Sequence, residues 1–334
     1  MQQVSSLTAG NTLTIVSFSA ASSSNCIEDG KRVKVKVLME SLINRVVIFP
    51  GTLLLILMLC AGMVAAGHQD SAHTSVLGRS VMQSTSPNDL VARVVQNEMQ
   101  IHDEGHFMYR DRRQTPEGSK TKEMIETEAG VVARLLAVDD HPLTAAQRSE
   151  DDARLQNLLT HTEVQKQKQK EQQKDEDQVK KLFRELPRAF AYEYDGMEPG
   201  PDGTVINLKF TPKPNYDPPS RECAVYKGMS GHMSVTVPEY RLVRIEATLF
   251  RDVNFGWGLL GHLDKGGHFI VEQSKIGPHR WDVTSMNIQF TGKILLFKTI
   301  NLHEIEALWD FQPVPDGLSL AQGIVRLDKV ISSK

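Results

Sequence analysis

Several groups of residues in this chain have types and spacings that could do chemistry. Gly256-Trp257-Gly258-Leu259-Leu260-Gly261 matches the G-x-G-x-x-G string of dinucleotide sites. Such a string works only where a helix begins at the glycines, so that backbone N–H groups and the helix dipole meet the pyrophosphate. His262-Leu263-Asp264-Lys265-Gly266-Gly267 follows, and its glycine pair would end a helix almost as it started. The stretch therefore reads as a loop between strands. Trp257, Leu259 and Leu260 make it apolar enough to fold over a cavity. His102 and His106 stand i, i+4 apart with Glu98 and Glu104 nearby, a spacing that could hold a metal on one helix face. Gly105 breaks the helix between them and no third ligand is evident, so they read as a surface pair. Gly228-Met229-Ser230-Gly231-His232 lacks the G-x-S-x-G spacing and the following helix that expose a nucleophilic serine, and reads as a turn into a strand. Paired carboxylates gather in a wet helical stretch, whereas catalytic acids need a sheltered cleft. No enzymatic constellation, cofactor site or metal site emerges, and a non-enzymatic protein is expected.

The elements around these residues are mostly strands. Pro87-Asn88-Asp89 opens a helix with Leu90, Val91, Val94 and Val95 on one face, stopped by Gly105. His106–Arg112 alternates as a strand, and Lys122–Thr127 with Val131–Val138 forms a hairpin turning at Ala129-Gly130. From Leu143 to Leu186 the texture is helical. Leu155, Leu158 and Leu159 form one apolar face and Val179, Leu182, Phe183 and Leu186 another, rotated from the first by about a third of a turn. One straight helix cannot bury both against one surface. The expectation is a helical arm anchored at both ends, with the stretch of lysines and glutamines from Gln165 to Lys174 solvated.

Strands then resume: Ala189–Tyr194, Thr204–Thr211 after a turn cluster from Gly196 to Gly203, Gly231–Val237, and Leu242–Leu249 with Val243, Ile245, Ala247 and Leu249 on its apolar face. His268–Ile276, Arg280–Phe290, Lys293–Leu302 and Glu306–Phe311 continue the pattern, and Leu318–Val330 closes with a short helix. Half-apolar alternation with few intervening helices is the antiparallel habit. The fold class is α+β, mainly β.

The N-terminal part addresses the chain to a membrane. Val46 to Val64 is an uncharged apolar run of 19 residues preceded by Arg45, Lys36, Lys34, Arg32 and Lys31, which favours a cytoplasmic N-terminus and a translocated remainder. Val64-Ala65-Ala66 offers small residues for cleavage after Ala66. Met39 begins the better leader, so residues 1–38 read as an upstream extension or a disordered segment, 39–66 as a signal peptide or membrane anchor, 67–86 as a linker, and 87–334 as the exported domain with its helical arm at 143–186. With cleavage, Cys223 alone would remain of the three cysteines, leaving no disulfide within the chain. A net charge of −3 offers no electrostatic case for nucleic acid.

Gly231-His232-Met233-Ser234-Val235-Thr236-Val237-Pro238-Glu239-Tyr240-Arg241-Leu242-Val243-Arg244-Ile245 resembles a stretch of the outer-membrane lipoprotein-sorting (LolA-like) family. There one strand ends in a short turn and the next begins with a basic or aromatic residue. The stretch from Asp252 to Gly267 is also similar to acidobacterial-type envelope proteins. The first resemblance implies a curved antiparallel sheet, an open half-barrel with helices in its apolar concave side, used for acyl chains. The expectation is a periplasmic protein holding a lipid or an acylated protein in a groove lined by Trp257, Leu259, Leu260, Phe269 and Trp281. The alternative is an adaptor whose helical arm contacts a protein partner.

Overall fold

The computed structural model describes residues 71–100, 105–160, 162–255, 261–294 and 298–332. The apolar run 46–64 and the residues before it lie outside them. Among the described residues no helix is long and apolar enough to cross a membrane.

Two helices come first, α1 (Ser71–Ser84) and α2 (Pro87–Gln100). Residues 71–84, expected as linker, are thus helical, and Val81 enters the core. Polar residues dominate the segment, and Val81 and Met82 supply its apolar contacts with the core. α2 begins where the sequence places it. Pro87 stands at the first turn, the Asp89 N–H donates to Ser86 Oγ at 3.1 Å, and Leu90, Val91, Val94 and Val95 are all buried.

The strands are β1 (His106–Thr115), β2 (Gly118–Thr127), β3 (Gly130–Val138), β4 (His141–Pro142), β5 (Phe190–Gly200), β6 (Gly203–Pro212), β7 (Met229–Val237), β8 (Arg241–Leu249), β9 (Val253–Phe255), β10 (Gly261–Leu263), β11 (His268–Gly277), β12 (Arg280–Ile294) and β13 (Lys298–Val314). All pair antiparallel in one sheet of order β4-β3-β2-β1-β13-β12-β11-β8-β7-β6-β5, with the β9–β10 hairpin joined to the end of β12. The sheet is curved and open: its outer strands, β4 and β5, do not meet. Irregularities at Met108/Arg110, Tyr194/Met197, Ser234/Val235 and Glu272/Gln273 supply the bending, since an extra residue in one strand raises the local twist.

Three boundaries differ from the sequence pattern. The turn cluster Gly196–Gly203 is mostly strand. Gly196, at φ +100, makes a bulge, and the chain reverses only at Pro201-Asp202, where Gly200 faces Gly203. In β8 the irregularity beside Ser234 brings Leu242 rather than Val243 into the core. Lys293–Leu302 is not a separate strand, because its ends belong to β12 and β13, which pair from Ile294↔Lys298 to Ser285↔Ala307.

The helices cover both faces. α3 (Ala145–Thr160) and α5 (Leu320–Ser332) pack on β2 and β3, burying Leu155, Ile324 and Leu327 against Met108, Ile125 and Val132. α1, α2 and α4 (Thr162–Ala189) lie on the other face, over β5 to β8 and the adjoining ends of β11 and β12. The arm is therefore anchored as its two apolar faces require: Leu155 in one core, Leu186 with half-buried Leu182 and Phe183 in the other. Between them Lys170, Lys174 and Asp177 are exposed.

Candidate functional site

Pairing register assigns residues to the inner face, the one the α2 core occupies. Phe269 faces Ile288, which faces Glu304; Val271 faces Met286, which faces Glu306; Glu306 in turn lies opposite Arg113. Directly opposed residues share a face, and so do residues two apart on one strand. The inner face thus runs from an apolar stripe (Phe269, Val271, Met286, Ile288, Leu302) straight into a charged row on β13 and β1: Glu304, Glu306, Asp111 and Arg113. Tyr109 and Leu308 continue it.

On β13 the polarity is the reverse of what the residues suggest. Glu304 is 0% and Glu306 1% exposed, while Ile305 between them is 37% exposed. Glu304 accepts from Arg113 Nη2 at 2.6 Å. Burial raises the pKa of Glu304 against the pull of Arg113. Burial also raises Glu306, and the neighbouring Asp111 carboxyl raises it further. Asp111 is raised by burial and lowered by its hydrogen bond with Glu306. The two acids therefore share a proton that Glu306 carries. If both were ionised, Glu306 Oε1 and Oε2 and Asp111 Oδ1 would be buried without a donor.

A second buried knot closes this end of the sheet. Arg280 donates from Nη2 to Glu126 Oε1 at 2.7 Å and from Nη1 to Gly105 O at 2.8 Å, with Asp282 Oδ2 at 3.4 Å from Nη2. Glu126 Oε2 accepts the Phe107 N–H at 2.9 Å. Burial pushes Asp282 up to about 7, with Arg280 opposing and Glu126 adding to the rise. Tyr109 is wholly buried; burial first, then the charges of Asp282, Glu126 and Asp111, lifts its phenol well above the usual range. Its hydroxyl has no hydrogen-bond partner.

The residues nominated from the sequence are distributed differently. Trp257, Leu259 and Leu260 lie outside the described residues; β9 and β10, before and after them, pair antiparallel. The described residues on either side are strand, β9 ending at Phe255 and β10 beginning at Gly261. Phe269 is half-buried and packs against the main core, opposite Ile288. Trp281 is 4% exposed, donates from Nε1 to Glu239 Oε2 at 2.8 Å and lies under the Arg241 guanidinium. Its register partner is Lys275 and that of Phe269 is Ile288, so the two rings sit near opposite ends of the β11–β12 ladder, roughly 20 Å apart at the usual strand rise. His106 Nδ1 lies 2.8 Å from Asp316 Oδ1, and His102 falls outside the described residues. Among the described residues no group of three or more His, Cys, Asp or Glu side chains could hold a metal ion. Ser230 lies within β7, and Cys223 is a buried free thiol.

The sequence hides the acid row because the expected strands end at Leu302 and resume at Glu306, with Glu304 between them. Read continuously, Leu302-x-Glu304-x-Glu306-x-Leu308 places two acids in phase with two leucines. That phase is the signal that could have found it.

No protein-family model and no curated protein matches the chain. Among solved structures it is similar to a DUF1329 family protein from Desulfovibrio piger, with 13% identity over 71% of this chain and 97% of that one, at a TM-score of 0.25.

Proposed function

We propose that this is a non-enzymatic protein of the cell envelope that holds a lipid, or the acyl chain of a lipoprotein, on the inner face of its open sheet. The observation that carries the reading is the apolar stripe beside the helical plug. Phe269, Val271, Leu263 and Leu302 pack against the core and are only partly covered by it. Partly covered apolar side chains beside the helices are what an acyl chain would bury, and each buried methylene contributes about 0.8 kcal/mol. β9 and β10, which flank the apolar residues 256–260, pair at the same end of β12 as Phe269. The N-terminal apolar run supports placement in the envelope.

Native mass spectrometry of the full chain after mild purification tests this. A copurified lipid mass, diminished in Val271→Asp, is expected. A clean protein mass that takes up no added long-chain fatty acid or alcohol would overturn it.

A further inference from the structure

We propose that Asp111, Glu304, Glu306 and Tyr109 form a subsite for the primary ammonium group of a ligand whose apolar part lies on the Phe269–Val271–Leu302 stripe. The inference rests on the reading above and names the headgroup chemistry of the same site.

Position is the first support. Leu302 stands two residues before Glu304 on one face of β13, and Ile288, in the stripe, lies directly opposite Glu304. A ligand lying along the stripe therefore meets the acids within one strand repeat.

Unmet hydrogen bonding is the second. Glu304 Oε1, Asp111 Oδ1 and both carboxyl oxygens of Glu306 are buried and receive no hydrogen bond from another group. Tyr109 Oη is independent of these acids in kind. It is a fully buried hydroxyl with no partner, on the same face of β1 as Asp111, and the charges acting on it are Asp282 first, then Glu126, then Asp111. Buried phenols ordinarily find a partner, and buried polar groups without one mark a place where something else binds. An ammonium carries three donors and no acceptor, which suits oxygens lacking donors.

Charge is the third. Three carboxyls in the row face two cations, Arg113 and Lys122, both of which act on Asp111. Arg280 on β12 is taken up by Glu126 and Asp282. The row thus accommodates one further positive charge once the shared proton leaves. A fatty-acid carboxylate would meet like charge there. Ammonium entry should release the proton held by Glu306, so affinity should rise with pH. The charged and titratable groups facing that proton are Asp111, Arg113 and Tyr109 on β1, Lys122 and Glu126 on β2, Arg280 and Asp282 on β12, and Glu304 on β13.

The test is isothermal titration calorimetry of the full chain with decylamine and with decanol, which share a tail, in two buffers of different ionisation enthalpy. Decylamine should bind tighter than decanol by about tenfold or more, as charge-assisted hydrogen bonds imply, and release about one proton per ligand. Glu306→Gln and, separately, Asp111→Asn should remove the preference and the proton release while leaving decanol binding intact. Lysophosphatidylethanolamine against lysophosphatidylglycerol separates the sources: a preference for the former assigns the ammonium to a phospholipid headgroup, and equal binding with the decylamine preference retained assigns it to a simpler amine. Equal affinity of wild-type protein for decylamine and decanol, or no proton release, would overturn the subsite and leave the apolar groove standing. Binding of neither would overturn both.

Discussion

Replacing Asp282 by asparagine should make the protein more stable at pH 8 and change its stability much less at pH 4. Asp282 is buried beside Arg280 and Glu126, and burial outweighs the guanidinium, raising its pKa from 3.8 to about 7. A carboxyl raised on folding contributes most below its unfolded pKa, where both states are protonated. That contribution is lost as pH rises from about 4 to about 7, because the unfolded chain releases the proton before the folded one does. The full loss is the shift converted to free energy, on the order of 4 kcal/mol at 1.36 kcal/mol per unit. Asparagine resembles the protonated acid permanently, so the variant should escape the loss. Its effect at pH 4 measures everything else: the weak 3.4 Å contact to Arg280 and the bond from the Val283 N–H to Asp282 Oδ1 at 2.8 Å. Urea unfolding of both proteins at several pH values, followed by circular dichroism, gives the difference directly. Stability curves that run parallel from pH 4 to pH 8 would refute the reasoning, since Asp282 would then titrate alike folded and unfolded.

Two further substitutions probe how the helices are tied to the sheet. Leu155→Ala should cost about 2–5 kcal/mol, because Leu155 is the buried anchor of α3 against Ile125 and Val132; an unchanged urea midpoint would show the first half of the arm undocked. Arg241→Ala should cost about 3–5 kcal/mol, because its Nε lies 3.0 Å from Glu98 Oε1 and the pair joins α2 to β8 while almost wholly buried; Glu98→Gln in the same background should restore part of the thermal midpoint.

The inner face of the sheet shows how far sequence reading reaches. Where apolar residues alternate, as at Ile245, Ala247 and Leu249 on β8, the inward face was legible, and all three are buried. The start and stripe of α2 were legible for the same reason: 3.6-residue spacing and a proline at the first turn are local properties. At Glu304, Ile305 and Glu306 the same logic fails. A period of two says that neighbours point to opposite faces; it does not say which face is inside, and an isoleucine between two acids suggests the wrong one.

Residue types and spacing therefore determined the antiparallel class, the amphipathic helix and the two anchored ends of the arm, because each depends on interactions within a few residues. Only the tertiary structure decided that β1 lies beside β13, some 200 residues away in sequence, setting Asp111 against Glu306 and Arg113 against Glu304. The reason is energetic. An acid goes inward only where a cation, or a second acid willing to share a proton, waits across the sheet. That partner is chosen by strand order, which alternation along a single strand does not encode.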